Sequence, residues 1–111
     1  MAQPYLTQLI DLVDRLSLQS SDGGRISCKH FFSGAAAYRD DQIFMSQTPV
    51  GLALKLGDDD CETLFANGGH VLRYFTKSPV KRGYVILPSA IVEDETKLRS
   101  WISRSLDYVG S

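Results

Sequence analysis

The chain has 111 residues, 43% of them hydrophobic, and 12 basic against 13 acidic side chains leave a formal charge of -1. Length and apolar content suit a single domain over residues 1–111 with one core, and the near-neutral balance excludes attraction to nucleic acid or an anionic membrane by overall charge, leaving only local patches. No apolar run approaches the roughly 20 residues that cross a bilayer, and the N-terminus carries acidic residues inside its apolar pattern where an export signal would have none.

The two cysteines, Cys28 and Cys61, lie far apart and read as reduced thiols rather than a disulfide framework. The expectation is a cytoplasmic protein that does not associate with membranes.

Over residues 4–19, Leu6, Leu9, Ile10, Val13 and Leu16 recur at the i, i+3, i+4, i+7 spacing of one apolar helix stripe, with Asp11, Asp14 and Arg15 on the remaining surface. Pro4 suits the first helical turn, and the polar, glycine-rich SSDGG at 20–24 stops the helix. The period then shortens to two. Ile26, Cys28 and His30 alternate with Ser27, Lys29 and Phe31, and the pattern predicts one long strand over 26–38, bent near Ser33 and Gly34.

Arg39-Asp40-Asp41-Gln42 is a tight polar turn into a strand at 43–46, and Thr48-Pro49-Val50-Gly51 is a second turn into a strand at 52–56. Asp58 or Asp59 is placed to cap a short helix through Ala66, with Glu62 three residues after Asp59, and Asn67-Gly68-Gly69 ends it. Two further strands, 71–75 and 83–87, flank a basic connection, and Pro88 blocks further pairing.

Glu93, Asp94 and Glu95 supply negative charge at the start of a last helix whose apolar face is Leu98, Trp101, Ile102, Leu106 and Val109. The predicted class is α+β: helix, three strands, helix, two strands, helix, the helices packed against an antiparallel sheet.

The soft ligands Cys28, His30, Cys61 and His70 include only one closely spaced pair, which argues against a structural zinc site. The acidic run 58–62 lacks the glycine and the terminal acid that a calcium loop needs at its sixth and twelfth positions. Gly23-Gly24 and Gly68-Gly69 each precede a strand, so neither aims helical amides at a phosphate. With two histidines and no nucleophile elbow, no enzyme, cofactor or metal is expected, and the alternative is a small enzyme or metal or ligand binder whose site, drawing on these Cys and His residues, is assembled only in three dimensions. Arg73, Lys77, Lys81 and Arg82, interleaved with Tyr74, Phe75 and Tyr84, form a cationic hairpin able to contact nucleic acid. The plainer reading of that segment is a solvated turn whose aromatics serve the core.

The segments FFSGAAAY, IFM, LALKL and GYVILP, followed by a terminal amphipathic helix, together resemble the N-terminal domain of the TfoX/Sxy family of bacterial competence regulators. The family's strand-opening segment falls on Phe31, Phe32, Ser33 and Gly34, its leucine-lysine pair on Leu54 and Lys55, and its later glycine, tyrosine and proline on Gly83, Tyr84 and Pro88. Phe31 and Ser33 replace the family's methionine and first glycine.

The resemblance implies a secretion-chaperone-like two-layer arrangement and a stand-alone form without the family's helical C-terminal domain. It also implies a non-enzymatic regulatory role through protein contacts, with a homodimer acting on transcription machinery or a cyclic-AMP receptor protein. Phe31, Phe32 and Tyr38 are the candidate protein-contact residues, against the simpler reading that they belong to the core.

Overall fold

In the computed structural model, which describes residues 3–16, 25–31, 34–72 and 81–110, the first element is helix α1 (Gln3–Arg15). Leu9 and Leu12, with Leu16 just past its end, form its buried face, and Tyr5, Leu6 and Val13 pack at the margin. Ile10, expected in the stripe, is 41% exposed. At about 100° per residue, a stripe centred on positions 5, 9, 12 and 16 turns position 10 away from the core.

Strands β1 (Ile26–Phe31), β2 (Gly34–Arg39), β3 (Gln42–Thr48), β4 (Gly51–Lys55), β5 (His70–Leu72) and β6 (Lys81–Ile86) form one six-stranded sheet. Its order is β1-β2-β3-β4-β6-β5, and each pairing is antiparallel. The single bent strand expected over 26–38 is a hairpin: Phe31 pairs with Gly34 and Ile26 with Arg39, so four strands precede the next helix instead of three. Period-two alternation looks the same in a bent strand and in two paired ones, which is why the reversal shows in sequence only as a break. Gly34 sits where no side chain fits, since a Cβ there would lie 2.2 Å from the Gln47 carbonyl oxygen and 2.8 Å from Thr48 Cα.

Helix α2 (Asp58–Ala66) has Gly57 at its N-cap and no side-chain cap, so Asp58 and Asp59 do not cap it as expected. With Asp60 they occupy the first turn, where their charge still meets the positive end of the helix. The helix ends as anticipated: Gly69 N–H donates to the Leu64 carbonyl at 2.8 Å and Gly68 N–H to that of Phe65 at 3.5 Å. A short helix, α3 (Ser89–Val92), follows Pro88 and has no counterpart in the sequence reading, because four residues are too few to show a period. In α4 (Glu95–Val109), Asp94 is the N-cap and its side chain accepts from Lys97 N–H at 3.1 Å.

Register separates the two faces of the sheet. One cross-strand row runs Cys28, Ala37, Met45, Leu54, Val85, Val71, and Ala37, Met45, Leu54 and Val85 are core residues. Helices α1, α2, α3 and α4 all contribute to this same core, through Leu9 and Leu12, Cys61 and Leu64, Ile91, and Leu98, Ile102 and Leu106 respectively. Between Ala37 and Tyr38 the register shifts: Ala37 faces Met45 while Tyr38 faces Ile43, and Phe44 is the extra residue of a bulge. Phe44 and Met45, neighbours in sequence, are thus both fully buried in one core.

Two polar side chains fasten α4 to the sheet. The fully buried Ser105 hydroxyl lies 2.8 Å from the Phe44 carbonyl and 2.6 Å from that of Lys55, both within reach of its single proton. Arg39, 6% exposed, donates from Nη1 to the Leu106 carbonyl at 3.2 Å, near the negative end of the helix. Among the described residues no helix is long and apolar enough to cross a membrane.

Replacing Ser105 by Ala deprives two carbonyls of their hydroxyl partner and is expected to cost about 1–3 kcal/mol, read as a lower urea midpoint at unchanged m-value. Gly34→Ala drives a methyl group into backbone atoms and should destabilise at the upper end of the roughly 1–3 kcal/mol seen for overpacking. A Gly34→Ala protein as stable as the parent would show that the β2–β3 pairing is looser than described.

Candidate interaction surface on the outer face of the sheet

With the described helices on the inner face, the opposite row across the strands is Lys29, Ala36, Ser46, Ala53, Ile86, His70. Ala36, Ser46 and Ala53 are fully buried yet stand outside the main core cluster. The Ser46 hydroxyl has no hydrogen-bond partner there.

Two lysine-tyrosine pairs sit beside this row. Lys29 and Tyr38 come from the β1–β2 ladder and are diagonal to one another, because Lys29 pairs with Ala36 and Tyr38 lies two residues on. Lys29 Nζ is 5.4 Å from the centroid of the Tyr38 ring. On β4 and β6, Lys55 is directly opposite Tyr84, with Nζ 5.8 Å from its ring centroid. Each contact falls within the roughly 6 Å reach of a cation–π attraction. Both tyrosines are half-buried and Lys29 is exposed, so the patch combines aromatic surface with positive charge.

The sequence-derived candidates distribute as follows. Phe31 ends β1, half-buried and paired with Gly34, and Tyr38 stands two places along the same outer face from Ala36. Phe32, Arg73 and Lys77 lie outside the described residues, and Lys81 and Arg82 are placed in β6 by their backbone only. The motif residues from the two ends of the family pattern meet: Lys55 with Tyr84, Leu54 with Val85, and Leu56 N–H donating to the Gly83 carbonyl at 2.9 Å. Gly83 has φ +83, a conformation that only glycine adopts without strain. Sequence reasoning passed over Lys29, whose role depends on recognising 26–39 as a hairpin.

The residues weighed as metal ligands are spread across the fold. Cys28 and His30 are on edge strand β1, His70 is on β5 at the other edge, and Cys61 is in α2. Among the described residues no group of three or more His, Cys, Asp or Glu converges. Both thiols are free, and both titrate above the usual thiol range. Burial is the main cause at Cys28, reinforced by the negative charge of Asp14. At Cys61, burial comes first, then the negative charges of Asp58 and Asp60, and its Sγ donates a hydrogen bond to the Leu56 carbonyl at 3.5 Å.

Among the described residues the helices pack on one face of an α+β sheet, and lysine and tyrosine stand on the other, to either side of the buried Ala36, Ser46 and Ala53. A sequence model of the TfoX N-terminal domain matches residues 18–109, and the chain belongs to that family, one of competence-related regulatory domains. No curated protein matches the chain.

The raised thiols make a pH prediction. The unfolded chain releases its thiol protons at lower pH than the folded one, so the folded state binds more protons within that window. Stability is intact below the ordinary thiol range and falls as pH rises from there toward the raised values. Urea titrations at stepped pH should show this alkaline decline, and Cys61→Ala should flatten it. An unchanged slope in that variant would assign the decline to other groups.

Proposed function

We propose that the domain is a non-enzymatic regulatory adaptor that works in the cytoplasm through protein contacts made by the outer sheet face, as a homodimer. Family membership supplies the regulatory context. The observation that carries the contact reading is the division of labour between the two faces: the described helices serve the core from one side, and the other presents two lysine-tyrosine pairs with Phe31 beside them. Strand β1 is a sheet edge among the described residues, so a partner strand has backbone groups to pair with. Half-buried tyrosines bring large contact area at little entropic cost, and lysines above them suit an acidic partner surface. The partner of this reading belongs to the transcription machinery, with a cyclic-AMP receptor protein as the candidate that the family resemblance suggests.

Capture of the tagged domain from a native bacterial lysate, with and without nuclease, tests this when run beside Tyr38→Ala and Lys55→Glu. A transcription protein that survives nuclease and falls at least tenfold in both variants is the expected result, together with a dimeric mass by light scattering. Partners lost entirely to nuclease would transfer the function to nucleic-acid contact through the basic segment around Lys81 and Arg82. Retention indifferent to both substitutions would remove the outer face from the account.

A further inference from the structure

A half-open pocket of about 290 Å³ lies between the end of α2, the α3 turn and the first half of α4, on the helical side of the molecule. Its apolar lining is Leu64, Pro88, Ala90, Ile91 and Trp101. Asn67 and Lys97 are the polar groups that line it. The volume is at the small end of the roughly 300–1,000 Å³ typical of ligand pockets, and an apolar wall with a few placed polar groups is their usual chemistry.

The walls are held from behind. Leu64 is fully buried and Ile91 is 8% exposed, so both are fixed by the core and cannot swing in to close the space. Trp101 is half-buried, with the Arg104 guanidinium 5.2 Å from its ring centroid, and Arg104 is itself tied to Asp60 at 3.1 Å. The Asn67 amide donates from Nδ2 to the Thr63 carbonyl at 2.7 Å, which fixes its plane and leaves its oxygen and second N–H available.

The charge of the pocket is one-sided. Lys97 is the only ionisable group in its lining, and among the described residues no carboxylate forms an ion pair with it. Asp94, three residues earlier, is engaged with the Lys97 backbone N–H at 3.1 Å. A cavity with apolar and polar surface in equal measure, and an exposed ammonium group at its rim with no ion-pair partner among the described residues, suits a ligand with an apolar body and a single negative charge.

We propose that this pocket binds a small monocarboxylate, with its aromatic or branched tail against Leu64, Pro88, Ile91 and Trp101 and its carboxylate on Lys97. Charge-assisted hydrogen bonds to an ammonium are stronger than neutral ones, so the carboxylate fixes orientation while burial of the tail supplies most of the affinity. The site is independent of the protein-contact reading, because it opens among the helices and not on the outer sheet face.

Trp101 is the chain's only tryptophan, so its emission reports directly on the pocket. Titration of the full chain at pH 7 with 3-phenylpropionate and 4-methylpentanoate, beside the corresponding neutral amides, is the test. A saturable change in emission is expected for the acids. It should weaken at least tenfold for the amides and in Lys97→Met, and return in Lys97→Arg. Ala90→Leu, checked for an unchanged thermal midpoint, should abolish binding by filling the space, and amide shifts at Asn67 and Ala90 in the parent should follow the same titration. No saturable response to either acid in the millimolar range overturns the proposal, as does equal binding of acid and amide or full binding by Lys97→Met. Tighter binding of an acetylated Leu-Asp peptide than of both free acids would also overturn it, by making the pocket a protein-docking site.

Discussion

The attachment of α4 to the sheet through Ser105 is the contact on which the rest of the arrangement depends. A helix lying across an antiparallel sheet can bury an apolar face anywhere along it, because hydrophobic attraction has no direction. A buried hydroxyl within reach of carbonyls on two neighbouring strands gives that attraction a fixed position. Moving α4 by one turn would leave a polar atom and two acceptors without partners in a dry interior, which costs more than small differences in apolar contact can offset. Arg39 adds a second fixed point one residue further on, through the Leu106 carbonyl. Leu98, Ile102 and Leu106 then meet Phe44, Met45 and Leu54 in a single geometry.

The bulge at Phe44 belongs to the same constraint. One extra residue lets consecutive side chains both enter the core, and it places the Phe44 carbonyl where Ser105 reaches it. It also shifts the pairing of the strand end beyond it, so Tyr38 faces Ile43. Tyr38 stands on the outer face because its neighbour in β2, Ala37, points into the core. Fold and surface are coupled through a ladder in which every inward choice fixes an outward one.

How much of this could be read from the sequence depended on period and length. The faces of α1 and α4 follow from helical spacing, except at Ile10, where an apolar residue lies off the stripe. The turns at Asp40-Asp41 and Asn67-Gly69 carry their own chemistry and appear where they were anticipated. The β1–β2 hairpin was hidden because alternation is the same on both sides of a reversal, and α3 because four residues carry no period. The aspartates of α2 were assigned to a cap because such residues favour that position, yet the extended Gly57 takes it and the acids lie one step inward. The lysine-tyrosine pairs and the Trp101 pocket were out of reach, since each joins residues from separate elements, and only the tertiary arrangement makes them neighbours.

The residues that carry the family resemblance divide by the direction in which they act. Gly34 is required by the close approach of Gln47 and Thr48, Gly83 by its backbone conformation, and Leu54 by the core. Pro88 ends the β6 ladder and begins α3. Those four are explained by folding alone. Lys55 and Tyr84 lie on the opposite face, where their cation–π contact adds about 0.5–1 kcal/mol to the β4–β6 pairing. A lysine and a tyrosine that come from separate strands and meet on the face away from the core stand where the contact proposed for the outer face would use them.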